Sequence, residues 1–119
     1  MANPNIATSN SIYGSTQGLT YVSTSWTTVI TCSTNTVLKV NTVTACNVSA
    51  SPVDVSVSLY DSSAGVTHYL AYTITVPAKA TLVITSKDSG FYMNELDYIQ
   101  TYASAANAIS LVVSYESIT

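Results

Sequence analysis

The stretch ISLVVSYESIT, residues 109–119, decides the fold. Ile109, Leu111, Val113 and Tyr115 fall on one face of an extended chain, with Ser110, Ser114 and Glu116 on the other. Val112 and Ile118 are the exceptions. A period of two over this length belongs to a half-buried β-strand and not to a helix. A strand this apolar is expected inside a sheet rather than at an edge, and the preceding chain must supply the rest of the core.

Working outward, the same period recurs. Val53, Val55, Val57 and Leu59 alternate with Asp54, Ser56, Ser58 and Tyr60 in the cleanest strand. Asp61-Ser62-Ser63-Ala64-Gly65 then reads as a hairpin loop, with glycine for a left-handed position. The strand that follows, residues 66–76, is expected to turn Leu70, Tyr72, Ile74 and Val76 inward. Leu82 and Ile84 are inward on the next strand and Ile99 on another, while residues 91–96 read as irregular. Residues 19–32 form one or two short strands with Trp26 and Ile30 as core candidates, and Ser33, Thr34 and Asn35 are turn chemistry. In residues 36–48 the alternation slips at Asn41 and Thr42, which is what a β-bulge does.

The sum is about seven or eight strands with turn signals every ~8–12 residues, the pattern of an all-β antiparallel sandwich, with a closed barrel as the alternative. Residues 1–19 have no sustained period and read as an extended N-terminal arm on a sandwich of residues 20–119. Ile12 and Tyr13 are the arm's candidate anchors on a neighbouring subunit, against the plainer reading of a loose terminus.

Composition excludes several functions. Of 119 residues only 8% are charged, and the formal net charge is −3, against about 25% charged in an ordinary domain. Serine and threonine make up roughly three residues in ten. Such a neutral hydroxyl surface suits a face covered by another protein, because desolvating lysine or glutamate is costly. Outward strand positions filled with Ser and Thr would look the same. With Lys39, Lys79 and Lys87 the only basic residues, there is no footprint for nucleic acid or an anionic membrane. No run reaches the roughly 20 apolar residues of a membrane span, and the N-terminus does not read as a secretory signal.

No catalytic pattern emerges. His68, the only histidine, falls on an outward face with no acid or serine beside it in the sequence. Asp88, Glu95 and Asp97 could meet at one end of the sandwich around a hard cation, but their spacing matches no calcium loop. No metal, cofactor or enzymatic activity is expected. Cys32 and Cys46 are expected to be free thiols of a reducing compartment: a turn at Ser33–Thr36 joining their two strands would set Cys32 near Val37, too far from Cys46. Nine tyrosines accompany one Phe and one Trp. Tyr60, Tyr69, Tyr98 and Tyr102 fall on outward faces, where a tyrosine ring tolerates a half-wet contact with a subunit or a carbohydrate; β-propensity alone is the other explanation.

Four stretches in residues 53–119 carry a resemblance: VDVSVSLYD (53–61), Tyr69-Leu70-Ala71, VPAKATLVI (76–84) and VVSYESIT (112–119). They resemble a family of small phage virion proteins with an immunoglobulin-like sandwich, frequent in cyanophages and other marine phages. Members carry glycine in two turns where this chain has Lys79 and Leu96. The resemblance implies a virion structural protein assembled in the host cytoplasm. Its partners would be the major capsid protein, other virion subunits and further copies of itself. A capsid decoration or cement protein is the first expectation. The alternative is a tail, neck or fibre module recognising a host surface or carbohydrate.

Overall fold

The computed structural model describes residues 11–119. Nine strands follow in order: β1 (Ile12–Leu19), β2 (Thr27–Thr31), β3 (Val37–Asn47), β4 (Val53–Asp61), β5 (Val66–Val76), β6 (Thr81–Thr85), β7 (Phe91–Met93), β8 (Tyr98–Ala103) and β9 (Ile109–Ile118). A 3-10 turn, Lys87–Ser89, precedes β7. One antiparallel sheet runs β1-β9-β3-β6, with β7 also on β3; the other runs β2-β8-β4-β5. The two pack face to face as a β-sandwich.

The wiring departs from the immunoglobulin-like expectation. An immunoglobulin sandwich joins strands A, B, E and D in one sheet and C, F and G in the other. Here the first strand pairs with the last, β2 with β8, β3 with β6, and β4 with β5. The chain thus runs out and back as one long antiparallel ribbon with its tip at the β4–β5 hairpin. Rolling that ribbon places alternate pairs in opposite sheets, which is the strand order of a jelly roll.

β9 lies between β1 and β3, as its apolar alternation requires. Ile109, Leu111 and Val113 are fully buried among Val40, Val43 and Ala45 of β3 and Val55, Val57 and Ile99 of the facing sheet. Each such side chain contributes about 1.5–3 kcal/mol of burial. The slip at Asn41 is a bulge: the β3–β9 register shifts between Val40 and Thr42. Gly65 takes φ +66°, and the Asp61 carboxylate accepts hydrogen bonds from the backbone N–H groups of Ser63 and Ala64 and from the Ser63 hydroxyl. Those bonds, with exposed His68 nearby, hold the Asp61 carboxyl below its usual range.

Several expectations are corrected. Residues 91–96 are not wholly irregular, because Phe91–Met93 pairs with Val40, Lys39 and Leu38. Gly90 admits this approach: a Cβ there would meet the Val40 carbonyl oxygen at 2.6 Å. Trp26 is 40% exposed and outside the core, packed on the outer surface. Tyr72 and Ile74 were expected inward, but β5 shifts register twice against β4, and Thr73 takes φ +52°. The extra residues defeat simple alternation, so Tyr72 faces out, and Ile74 stays 41% exposed on an edge strand. Of the segment read as an arm, Ile12–Leu19 is β1, paired with β9. Residues 1–10 lie outside the described residues.

Both cysteines are free, for a reason other than the one expected: β2 and β3 lie in opposite sheets and form no hairpin. The Cys32 thiol is fully buried and donates to the Thr36 carbonyl at 3.1 Å. Burial pushes it up to about 11. Because the folded value lies above that of an ordinary thiol, about 8.5, its contribution to stability is complete below pH ~8.5 and is lost as pH rises toward 11. In the folded protein at neutral pH an alkylating reagent is expected to label Cys46 and spare Cys32, with Cys32 reacting only after unfolding. Equal labelling rates would place Cys32 at the surface.

Lys79 and Leu96 take φ +62° and +68°, a conformation costly for a bulky side chain and free for glycine. Leu96→Gly is expected to stabilise the fold by about 1 kcal/mol, raising Tm by about 4 °C. A lower Tm would mean that the leucine side chain contributes more than its backbone strain costs.

Candidate interaction surfaces

Two surfaces emerge from these elements. The first is the outer face of the β2-β8-β4-β5 sheet. Ile99, Thr101 and Ala103 of β8 point into the core, so Tyr98, Gln100 and Tyr102 point out. Their cross-strand neighbours on β4 are Tyr60, Ser58 and Ser56. Tyr60 and Tyr98 stack with ring centroids 4.7 Å apart. Tyr102 meets Trp26 edge-on at 4.5 Å. Tyr69 lies 6.2 Å from Trp26 and 4.9 Å from Tyr72. The sheet thus carries a four-ring cluster and a stacked pair, linked by the hydroxyl and amide groups of β4 and β8. Beneath the rings Ser56 Oγ accepts the Thr73 N–H at 2.7 Å, which fixes the bulge that presents Tyr72.

The second surface is β1. Ile12 and Tyr13 are 55% and 57% exposed, and every residue from Ile12 to Gly18 is exposed. β2 of the facing sheet meets β1, and Leu19 packs on the core, but from Ile12 to Gly18 the strand is exposed, so among the described residues backbone pairing to β9 is its principal attachment.

Of the six residues singled out from the sequence, Tyr60, Tyr69, Tyr98 and Tyr102 share the aromatic face, and Ile12 and Tyr13 sit on β1 in the other sheet. Trp26 and Tyr72 were missed. No alternation marks Trp26, which precedes β2, and the β5 bulges hide Tyr72.

The three acids do not form a site. Asp97 is buried, and its carboxylate accepts the backbone N–H groups of Ser62 and Asn94 at 2.9 and 3.0 Å. Glu95 accepts the Asn35 N–H at 2.9 Å. These acids tie together the loops at one end of the sandwich. Among the described residues no three His, Cys, Asp or Glu side chains cluster and no pocket opens. Searches against protein-family models and curated proteins return no match to this chain.

Proposed function

We propose that this chain is a non-enzymatic phage virion structural protein, a decoration or cement protein that stabilises the head by binding neighbouring capsid subunits. The observation that carries the reading is β1: an uncharged strand exposed from Ile12 to Gly18, on a domain whose sequence is low in charge. Such a strand can extend a neighbour's sheet or be covered by one without desolvating charge. Jelly rolls recur in viral capsid domains, and Lys79 and Leu96 adopt the backbone of the glycines that the resemblance expects. Both points add to the reading. Densitometry of stained gels of purified virions tests it. A copy number comparable with that of the capsid subunit is expected, and absence from the particle would overturn the proposal.

The aromatic face supports a second reading, a tail, neck or fibre module recognising carbohydrate, since lectin domains also use this fold. Trp26 is the only tryptophan and sits in the ring cluster. A glycan docking there would change its emission. A low copy number together with a saturable fluorescence change would favour this reading over cement.

A further inference from the structure

We propose that β1 is the contact through which two copies of this chain join, by antiparallel pairing of β1 with the β1 of a second copy about a two-fold axis at Ser15. The inference deepens the assembly reading by naming one partner, and its test needs no particle.

Among the described residues five strands border the two sheets, and four of them are blunted: β7 has only three residues. β2 and β6 have five residues each, both with register shifts, and Lys79 and Lys87 flank β6. β5 shifts register twice. Bulges, short strands and lysines are how edges are kept from pairing. β1 has none of them: eight consecutive pairs with β9, no shift, no proline and no charge. The chain carries no charged residue before Lys39. Glu116, opposite Gly14, has Lys39 at its other cross-strand position, so the edge is neutral and meets its own copy without repulsion.

The register follows from hydrogen bonding. Ser11 and Thr119 exchange both backbone bonds, at 3.3 and 2.9 Å. In an antiparallel ladder such pairs alternate, so Tyr13, Ser15, Gln17 and Leu19 bond to β9. Ile12, Gly14, Thr16 and Gly18 therefore turn their N–H and C=O groups to the edge that no described strand pairs. Only one two-fold register pairs all four: Ile12 with Gly18 of the second copy, and Gly14 with its Thr16. In that register each larger side chain lies beside a bare glycine. Shifting by two residues in either direction leaves one outward residue unpaired and sets glycine against glycine.

The glycines have no other explanation in the fold. A Cβ at Gly14 or Gly18 would approach nothing closer than 4.0 or 3.7 Å, and neither has positive φ. Glycine inside a strand weakens it and often marks a place where another backbone comes close.

Ser15 would face Ser15 of the second copy at a non-hydrogen-bonded position, where Cα atoms lie ~4.5 Å apart and a disulfide fits. The full-length chain carrying Ser15→Cys and Cys46→Ser is expected to form a disulfide-linked dimer on mild oxidation. Its rate should exceed by at least tenfold that of a Ser63→Cys, Cys46→Ser control at the hairpin tip. Thr16→Pro removes only an outward N–H. Added to the Ser15→Cys chain, it should cut crosslinking at least tenfold with little change in Tm. If the proline lowers Tm, Gly18→Lys serves instead, because its side chain has room within one copy but occupies the seat of the second copy's Ile12. Sedimentation should show concentration-dependent dimers for the unmodified protein and monomers for both edge variants. Crosslinking no faster than the control, or unchanged by both variants, overturns the proposal. So does a monomer at every concentration, since the unmodified protein then joins no second copy through this edge.

Discussion

Leu111→Asp is expected to yield no cooperatively folded protein. Leu111 is fully buried near the start of β9, between Leu19 of β1 and Ala45 of β3. Removing it forfeits about 1.5–3 kcal/mol of apolar burial. The carboxylate must then be stripped of water or protonated, with a further cost of several kcal/mol. Together these approach the 5–15 kcal/mol by which ordinary domains are stable. The neighbouring substitution Val112→Asp supplies the control. Val112 is 38% exposed and faces outward on the same strand, so its replacement is expected to change stability by less than ~1 kcal/mol. Circular dichroism melts of the two variants make the comparison. A cooperative melt for Leu111→Asp near that of the unmodified protein would remove β9 from the interior.

What was legible in the sequence is what side-chain burial writes there. β9 and β4 alternate because one face of each meets the core. The bulge at Asn41 shows as a slip in that alternation, and the Asp61–Gly65 loop shows because its backbone needs a side-chain acceptor and a left-handed residue. What stayed hidden is held by the backbone. β1 is fixed mainly by its ladder to β9 while its side chains point into solvent, so no hydropathy pattern marks it as a strand. β7 is only three residues long and reaches β3 because Gly90 has no side chain. The roll pairs the first strand with the last, and no local period encodes which distant strands become neighbours. The aromatic surface was partly legible: Tyr60, Tyr69, Tyr98 and Tyr102 follow from alternation, whereas the β5 bulges move Tyr72 to the outer face, and Trp26 is placed by the rings it meets.

Asn47 is the other position where one change is expected to cost most of the stability. It ends β3 with no exposed surface and uses every polar atom of its amide. Its Nδ2 donates to the Ser51 and Val76 carbonyls at 2.8 and 3.0 Å. Its Oδ1 accepts from the Ser49 N–H and hydroxyl at 2.9 and 2.7 Å. One side chain thereby joins the β3–β4 turn to the end of β5, across the two sheets. Asn47→Ala leaves these partners unmatched in a buried site, at about 1–3 kcal/mol for each group stranded away from water. Asn47→Asp keeps the shape but turns a carboxylate oxygen toward two carbonyls. Burial and that repulsion raise the introduced carboxyl's folded value above its unfolded value of about 3.9. A raised value means that stability is greatest at low pH, where the neutral acid can still donate one hydrogen bond, and falls as pH rises. Asn47→Asp is therefore expected to lose stability between pH 4 and pH 7 relative to the unmodified protein at each pH. Asn47→Ala should show a constant deficit over the same range. Urea melts of the three proteins at several pH values separate the two effects. Parallel deficits for both variants would mean that water reaches Asn47 and that the turn, rather than the amide, holds this end of the sandwich.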